Sequence, residues 1–375
     1  MNILLTELGN TASGDPELWA ETCRQLAPEH AVTLLHRLAD PAPFTAHGMA
    51  AFPRIFLPLP VLPAAVATPA ELDAALAAAA PDTHAALHQA VREHDIVCIA
   101  PGGKFLDGYH YQNALAAAAA ASVQGKPYAM LHQSLGPLQP APRRTLLAGM
   151  LEQARIVLLR ESHSHRFALQ LTGGRAPCHL TADPLFAIPP LAATDPAYDL
   201  GLNFRLAFNG WVSPDDVLQF LRELQAGSPL RIRMYTTTHP LQAPLCASLR
   251  ELGVDCLPRV LAPPDLLAVP GHCRVNLTDS FHGVIFSLLA GRAVLPCQAD
   301  FDSWKLQGTF PNPWWAPRLH PGPTSPEQRR SLHRRVRRAL NAPPRLPRRI
   351  SRLLDRRRSE AIAGWDALRH VLRQG

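Results

Sequence analysis

Short apolar runs and longer amphipathic segments take turns along residues 1–300. Asn2–Thr6, Val32–Leu35, Asp95–Ala100, Tyr128–His132 and Ile156–Leu159 read as buried strands. Between them Pro16–Leu26, Glu71–Glu93, Tyr111–Ala121, Arg143–Gln153 and His163–Leu171 carry apolar residues at helical spacing. Residues 39–70, rich in Pro and Phe, read as irregular. A second cycle follows Ile188–Pro196, a stretch with three prolines that reads as a linker. Its strands are Tyr198–Leu206, Leu230–Thr236, Asp255–Leu257 and Arg274–Leu277; its helices are Pro214–Leu224, Pro244–Leu252 and Pro264–Val269. Alternating strands and helices predict parallel sheets covered on both faces, with ligands at the edge where the strands end. The expected organisation is a Rossmann-like domain over 1–188, a second over 197–328 and a helical tail over 329–375.

The most informative segment is Thr278-Asp279-Ser280-Phe281-His282-Gly283, between an apolar strand and an apolar helix. Ser280 or Asp279 can cap that helix, whose N-terminus favours anions through its first-turn N–H groups. A histidine there can donate to the same anion and can act as a general acid near neutral pH. The same pattern also describes a capped core helix with a partly buried histidine.

Five further segments belong with it. Gly9-Asn10-Thr11-Ala12-Ser13-Gly14-Asp15 follows the first strand, and Pro101-Gly102-Gly103-Lys104 follows another. Gln133-Ser134-Leu135-Gly136-Pro137, Leu159-Arg160-Glu161-Ser162-His163-Ser164 and Ala182-Asp183-Pro184-Leu185-Phe186 complete the set. In this order they resemble the motifs of the polysaccharide pyruvyl transferase family, with Lys104 in place of the third glycine of that family's Gly-Gly-Gly turn. The resemblance implies an α/β, GT-B-like fold: two Rossmann-like parallel-sheet domains facing a cleft. It also implies transfer of the enolpyruvyl carbons of phosphoenolpyruvate onto two hydroxyls of a sugar, giving a cyclic pyruvate ketal for polysaccharide or cell-envelope glycans. The acceptor is then a sugar or lipid-linked oligosaccharide on the first domain, and the donor sits on the second.

That chemistry needs cations for the carboxylate and phosphate, an acid for the methylene carbon and a base for the hydroxyl. His282 is the candidate acid, and Asp15 and Glu161 are candidate bases; Asp15 can equally begin the helix at Pro16. Arg160 has the fork geometry for a carboxylate or phosphate. Ser280, Phe281, Gly283, Asn10, Gly102, Gly103, Lys104, Ser134 and Asp183 are candidate substrate contacts, with His132 and His239 behind them. Gly102-Gly103 reads as a turn. No cofactor is required. The His and Cys residues show no zinc-ligand spacing, so no metal is expected. Neither a G-x-x-x-x-G-K-[ST] loop nor G-x-G-x-x-G after a strand is present. The alternative is a GT-B glycosyltransferase that uses a nucleotide sugar.

Charge changes the picture only at the C-terminus. Arg329 to Gly375 carries 15 Arg against three acids, a net +12 within a chain of +7, so the preceding residues stand at −5. Leu332, Val336 and Leu340 share one helical face there, and prolines 343, 344 and 347 separate two helices. Such a segment suits an anionic membrane surface; without a nucleic-acid-binding module, nucleic acid is not expected as a partner. Seven scattered cysteines without a C-x-x-C and the absence of a long apolar span point to a cytoplasmic protein, peripheral on the membrane's inner face if the tail binds lipid.

Overall fold

The computed structural model describes the chain except residues 9–14, 64, 108–110, 192–194, 207–211, 228, 238–239, 262, 298–299, 311–322, 343–347 and 375. Asn10 and His239 lie outside the described residues. The elements run β1 (Asn2–Leu8), α1 (Asp15–Leu26), β2 (Ala31–His36), α2 (Ala42–Ala46), β3 (Arg54–Phe56), α3 (Pro69–Ala79), α4 (Pro81–Glu93), β4 (Ile96–Ile99), β5 (Gly102–Phe105), α5 (Tyr111–Val123), β6 (Tyr128–Leu135), α6 (Ala141–Gln153), β7 (Ile156–Leu159), α7 (Ser162–Thr172) and β8 (Cys178–Leu180). A 3-10 turn at Pro184–Ala187 closes this half. The second half runs β9 (Tyr198–Asn203), α8 (Pro214–Ala226), β10 (Ile232–Thr236), α9 (Ala243–Glu251), β11 (Val254–Val260), α10 (Pro263–Gly271), β12 (Cys273–Thr278), α11 (Phe281–Leu289), β13 (Ala293–Pro296) and α12 (Asp300–Thr309). Helices α13 (Pro326–Asn341) and α14 (Arg348–Arg373) follow.

The chain divides into two compact units, one built on Asp15–Ala187 with β1 and Arg357–Gly375, the other on Ile188–Arg356. The first holds an eight-stranded sheet in the order β3-β2-β1-β4-β6-β7-β8, with β5 on β6. The second holds a five-stranded sheet in the order β11-β10-β9-β12-β13. Every strand pair is parallel. Such sheets are buried on both faces, so the strands read as continuous apolar runs: β4 and β7 are buried at every position.

The strand orders locate the ligand edges. In the first sheet the order reverses between β1 and β4; in the second it reverses between β9 and β12. At such a switch point the loops after the two strands diverge and leave a crevice outside their carboxyl ends. The segments after β1 and β4 are those holding Asp15 and Gly102, and the segment after β12 is Asp279-Ser280.

Several expectations need correction. Residues 39–70 hold the short helix α2 and the edge strand β3, whose three residues give no readable periodicity. Glu71–Glu93 is two helices, because Pro81 cannot continue the ladder from α3 and instead opens α4. Gly102-Gly103 is the start of a strand on β6 rather than a turn. The C-terminal helices are integrated into the two cores: Leu332, Val336 and Leu340 of α13 join the second core, and Ala361, Trp365, Leu368 and Leu372 of α14 are buried with the first unit. A Cβ at Gly364 would lie 2.8 Å from both His132 Cε1 and Thr181 Cγ2, so α14 needs glycine where it crosses them.

Candidate functional site

The second sheet builds its site from the ends of β9 and β12. Ser280 caps α11 by accepting from the Gly283 N–H at 3.2 Å, and the Ser280 N–H donates to Thr278 Oγ1 at 3.0 Å. Asp279 accepts from the Arg205 N–H at 2.9 Å, while the Arg205 guanidinium donates to the Asp279 carbonyl at 2.6 Å. The strand end is thereby fixed before the helix begins. Gly283 is required by close packing: a Cβ would stand 2.5 Å from Thr278 Oγ1 and 2.7 Å from Asn203 Nδ2. That approach brings the N-terminus of α11 against the end of β9. Phe281 and His282 occupy its first turn, both buried, with their rings edge to face at 5.4 Å and the Phe286 ring 6.4 Å from the imidazole. Ser280, Phe281, His282 and Gly283 are therefore brought together, at a switch point, on a capped helix N-terminus.

Sequence reasoning missed Arg205, Asn203 and Thr237 at this edge. Asn203 Nδ2 donates to Thr237 Oγ1 at 3.3 Å, and Asn203 Oδ1 is buried without a hydrogen-bond partner among the described residues. The signal was available for Asn203, a polar residue closing an apolar strand. Arg205 gave none, because its place beside Asp279 is set by strand pairing between β9 and β12.

In the first unit, Asp15 is the first residue of α1 and is buried, in the turn where the helix dipole favours a carboxylate. Gly102 and Gly103 open β5, and Lys104 follows, part-exposed. A Cβ at Gly102 would meet only the Lys104 side chain, at 3.6 Å. Ser134, Arg160 and Asp183 do converge, but in the interior. Arg160 is 2% exposed; its Nε donates to Ser134 Oγ at 2.8 Å and its Nη1 to Asp183 Oδ2 at 2.7 Å. Asp183 Oδ1 accepts from the Leu185 N–H at 3.0 Å and starts the 3-10 turn. Arg160, the candidate for a ligand anion, pairs with Asp183, where the chain after β8 folds over the end of β7. Glu161, expected as a base, is fully buried and caps α7 by accepting from the Ser164 N–H at 2.9 Å and from its hydroxyl. Ser164 Oγ in turn accepts from the Leu135 N–H at 2.6 Å, so this carboxylate ties α7 to β6.

His132 sits within β6 at φ 43°, where the pairing with β7 shifts register. A non-glycine residue at positive φ marks a bulge here, two residues before Ser134. Its Nδ1–H donates to the Ala182 carbonyl at 3.0 Å, and its ring packs on Trp365 at 4.5 Å. Burial pushes its pKa down to about 4, against a partial rise from that carbonyl and from Asp183. The imidazole is therefore neutral at physiological pH. Gly136 also has a packing reason: a Cβ would fall 1.8 Å from Leu106 Cδ2. Burial raises the Cys98 and Cys273 thiols to about 12, so neither supplies a thiolate near neutral pH.

A crevice of about 740 Å³ in the first unit lies at the other edge of its sheet, bordered by Ile96, Lys126, Tyr128 and Arg155 where strands begin. It holds none of the candidate residues. Among the described residues, Asp73, His84 and His88 form one group with metal-ligand chemistry.

Residues 29–298, more than half of the chain, match the family model described as polysaccharide pyruvyl transferase. No curated protein matches the chain in sequence. Among solved structures it is similar to the Neisseria meningitidis UDP-GlcNAc 2-epimerase bound to UDP-GlcNAc, at 10% identity and a TM-score of 0.65 over 100% of both chains. It is also similar to Anabaena Alr3699/HepE in complex with UDP, at 14% identity and a TM-score of 0.62 over 100% of both chains. A third likeness is Staphylococcus aureus MnaA with UDP, at 10% identity and a TM-score of 0.58, covering 96% of this chain and 91% of that one. At such identities the likeness shows the fold: mixed α/β, two parallel sheets, GT-B-like.

Proposed function

The chain belongs to the polysaccharide pyruvyl transferase family, and from that premise we propose that it transfers pyruvate from phosphoenolpyruvate to two hydroxyls of one sugar, forming a cyclic ketal. The observation that carries the reading is the Thr278–Gly283 segment: a capped helix N-terminus with a histidine in its first turn, at the switch point of the second sheet. A phosphate or carboxylate is the natural ligand of such a terminus. In this reading Ser280, Phe281 and Gly283 frame the donor, and His282 contacts its phosphate and gives a proton to the methylene carbon. A sugar hydroxyl then bonds to the adjacent carbon and loses its proton to a carboxylate. The carbon–oxygen bond to phosphate breaks, and the second hydroxyl bonds to the same carbon and closes the ring as its proton passes to the departing phosphate. Asp15 and Glu161 are the candidate carboxylates for this step, and Glu161 also caps α7. Gly102, Gly103 and Lys104 border the same edge of the first sheet as Asp15.

The acceptor belongs to polysaccharide or cell-envelope glycan synthesis, free or lipid-linked. A lipid-linked acceptor fits peripheral attachment to an anionic membrane from the cytoplasmic side. The apolar faces of α13 and of the end of α14 are buried, so attachment would rest on charge, through exposed Arg330, Arg334 and Arg338 along one face of α13. None of the described helices is long and apolar enough to cross a membrane.

One observation favours a second reading, a nucleotide-sugar glycosyltransferase: the similar solved structures hold UDP or UDP-GlcNAc. The deciding experiment offers the enzyme phosphoenolpyruvate or a panel of UDP-sugars, with a set of sugar acceptors. Acceptor-dependent release of inorganic phosphate from phosphoenolpyruvate, with a ketal product by mass spectrometry, supports the pyruvyl transferase. UDP release without either supports the glycosyltransferase.

A further inference from the structure

We propose that Asp73, His84 and His88 form a zinc site that clamps helices α3 and α4, separate from the candidate active site. His84 and His88 stand four residues apart on α4, so both imidazoles project from one face, one turn apart. The sequence reading passed over this pair; its third member lies on a different helix. Asp73 comes from α3, and its carboxylate joins both rings: Oδ2 is 3.1 Å from His84 Nε2, and Oδ1 is 2.8 Å from His88 Nε2. The two imidazole centroids are 4.1 Å apart.

The core sets this arrangement. Leu72 and Leu76 of α3, and Leu87, Ala90 and Val91 of α4, are buried and fix the rotation of each helix. Only Ala80 separates the helices, so they cannot slide apart. The three donor atoms lie within 4.8 Å of one another. Zinc with bonds of about 2.0–2.2 Å to nitrogen and oxygen needs tetrahedral ligand atoms roughly 3.4 Å apart. A small rearrangement of side chains therefore admits the ion. The side chains are 12–23% exposed, which leaves the fourth position open to water. Two imidazoles and one carboxylate suit a first-row divalent ion over Mg²⁺ or Ca²⁺, which prefer oxygen ligands.

Gln124 completes the site. As a carboxylate, Asp73 only accepts, so without metal both Nε2 atoms carry protons. Gln124 Nε2 then donates to His88 Nδ1 across 3.0 Å. Zinc takes the Nε2 lone pairs, so His88 must carry its proton on Nδ1, and a turned Gln124 amide presents Oε1 to accept it. This is the outer partner that orients a metal-bound histidine. Gln124 lies between α5 and β6, where β6 begins. None of the three ligands is among the candidate active-site residues, which fits a structural clamp.

The test uses the full-length chain, freed of any affinity tag and stripped with a chelator. It is titrated with Zn²⁺ by calorimetry and with Co²⁺ by visible absorption. We expect one ion per chain, a Tm raised by several degrees, and Co²⁺ bands of nitrogen and oxygen ligation without a thiolate charge-transfer band. His84→Gln and His88→Gln should each abolish the binding. Gln keeps a donor for Asp73, so the metal-free Tm of these variants should match the parent and certify their fold. Gln124→Leu should weaken affinity about tenfold or more. The proposal is overturned by an absence of stoichiometric binding. Binding that survives in the His84→Gln/His88→Gln double variant overturns it too, as does a thiolate band, which would assign the ion to the seven free cysteines.

Discussion

Replacing Asp183 by Leu separates two accounts of Arg160. The guanidinium is 2% exposed and has the carboxylate at 2.7 Å and the Ser134 hydroxyl at 2.8 Å. Removing the carboxylate breaks a buried ion pair, which costs about 3–5 kcal/mol. Loss of the Leu185 N–H acceptor adds about 1 kcal/mol. With a urea m-value of about 3 kcal/mol/M, the first effect alone moves the unfolding midpoint down by roughly 1–1.7 M. Tryptophan fluorescence in urea reads it directly, since Trp19 and Trp365 are buried in the same unit. The double variant Arg160→Met/Asp183→Leu removes both charges and should recover much of the loss. A single-variant shift below about 0.3 M, together with lost turnover, would refute the structural assignment and return Arg160 to ligand binding.

Three further outcomes follow from the same geometry. His132 has a folded pKa of about 4 against about 6.5 unfolded, so the unfolded chain binds the extra proton between these values. Stability from this group is complete above pH 6.5 and is lost as pH falls toward 4, by about 3 kcal/mol in all; His132→Asn, which tolerates positive φ, should flatten the wild-type slope in denaturant titrations at pH 7 and pH 5. Gly283→Ala drives a methyl onto Thr278 and Asn203 and should lower stability by about 1–3 kcal/mol in urea unfolding, with donor affinity falling as α11 shifts. Changing Arg330, Arg334 and Arg338 to Gln should weaken flotation with anionic vesicles; about 1 kcal/mol per cation is at stake, and unchanged flotation would set the membrane attachment aside.

What the sequence disclosed depended on the range of the interactions. The Thr278–Gly283 segment was readable because strand end, cap and helix start are local, and Ser280 does cap α11. The alternation predicting parallel sheets was equally legible, since strands buried on both faces are continuously apolar. The face of Leu332, Val336 and Leu340 was visible in the periodicity, and all three are buried. The fates of Arg160 and Glu161 were not visible. Asp183 lies 23 residues beyond Arg160, and only the folding of β8 and its following turn over β7 joins them. Glu161 reads as a base in the sequence, and its capping of α7 shows only with Ser164 docked on Leu135. Strands β3 and β8 have three residues each, too few for a pattern. Pro81, by contrast, was a legible break in Glu71–Glu93 and was overlooked.

The most direct test of the central claim is the thermal shift of the purified chain with phosphoenolpyruvate, beside UDP and UDP-sugars, in the wild type and in His282→Ala. A ligand at 100 times its Kd adds about 2.7 kcal/mol to the folded state, a rise in Tm of several degrees. The account expects that rise with phosphoenolpyruvate in the wild type and its loss in His282→Ala. A rise with UDP or a UDP-sugar and none with phosphoenolpyruvate would contradict it.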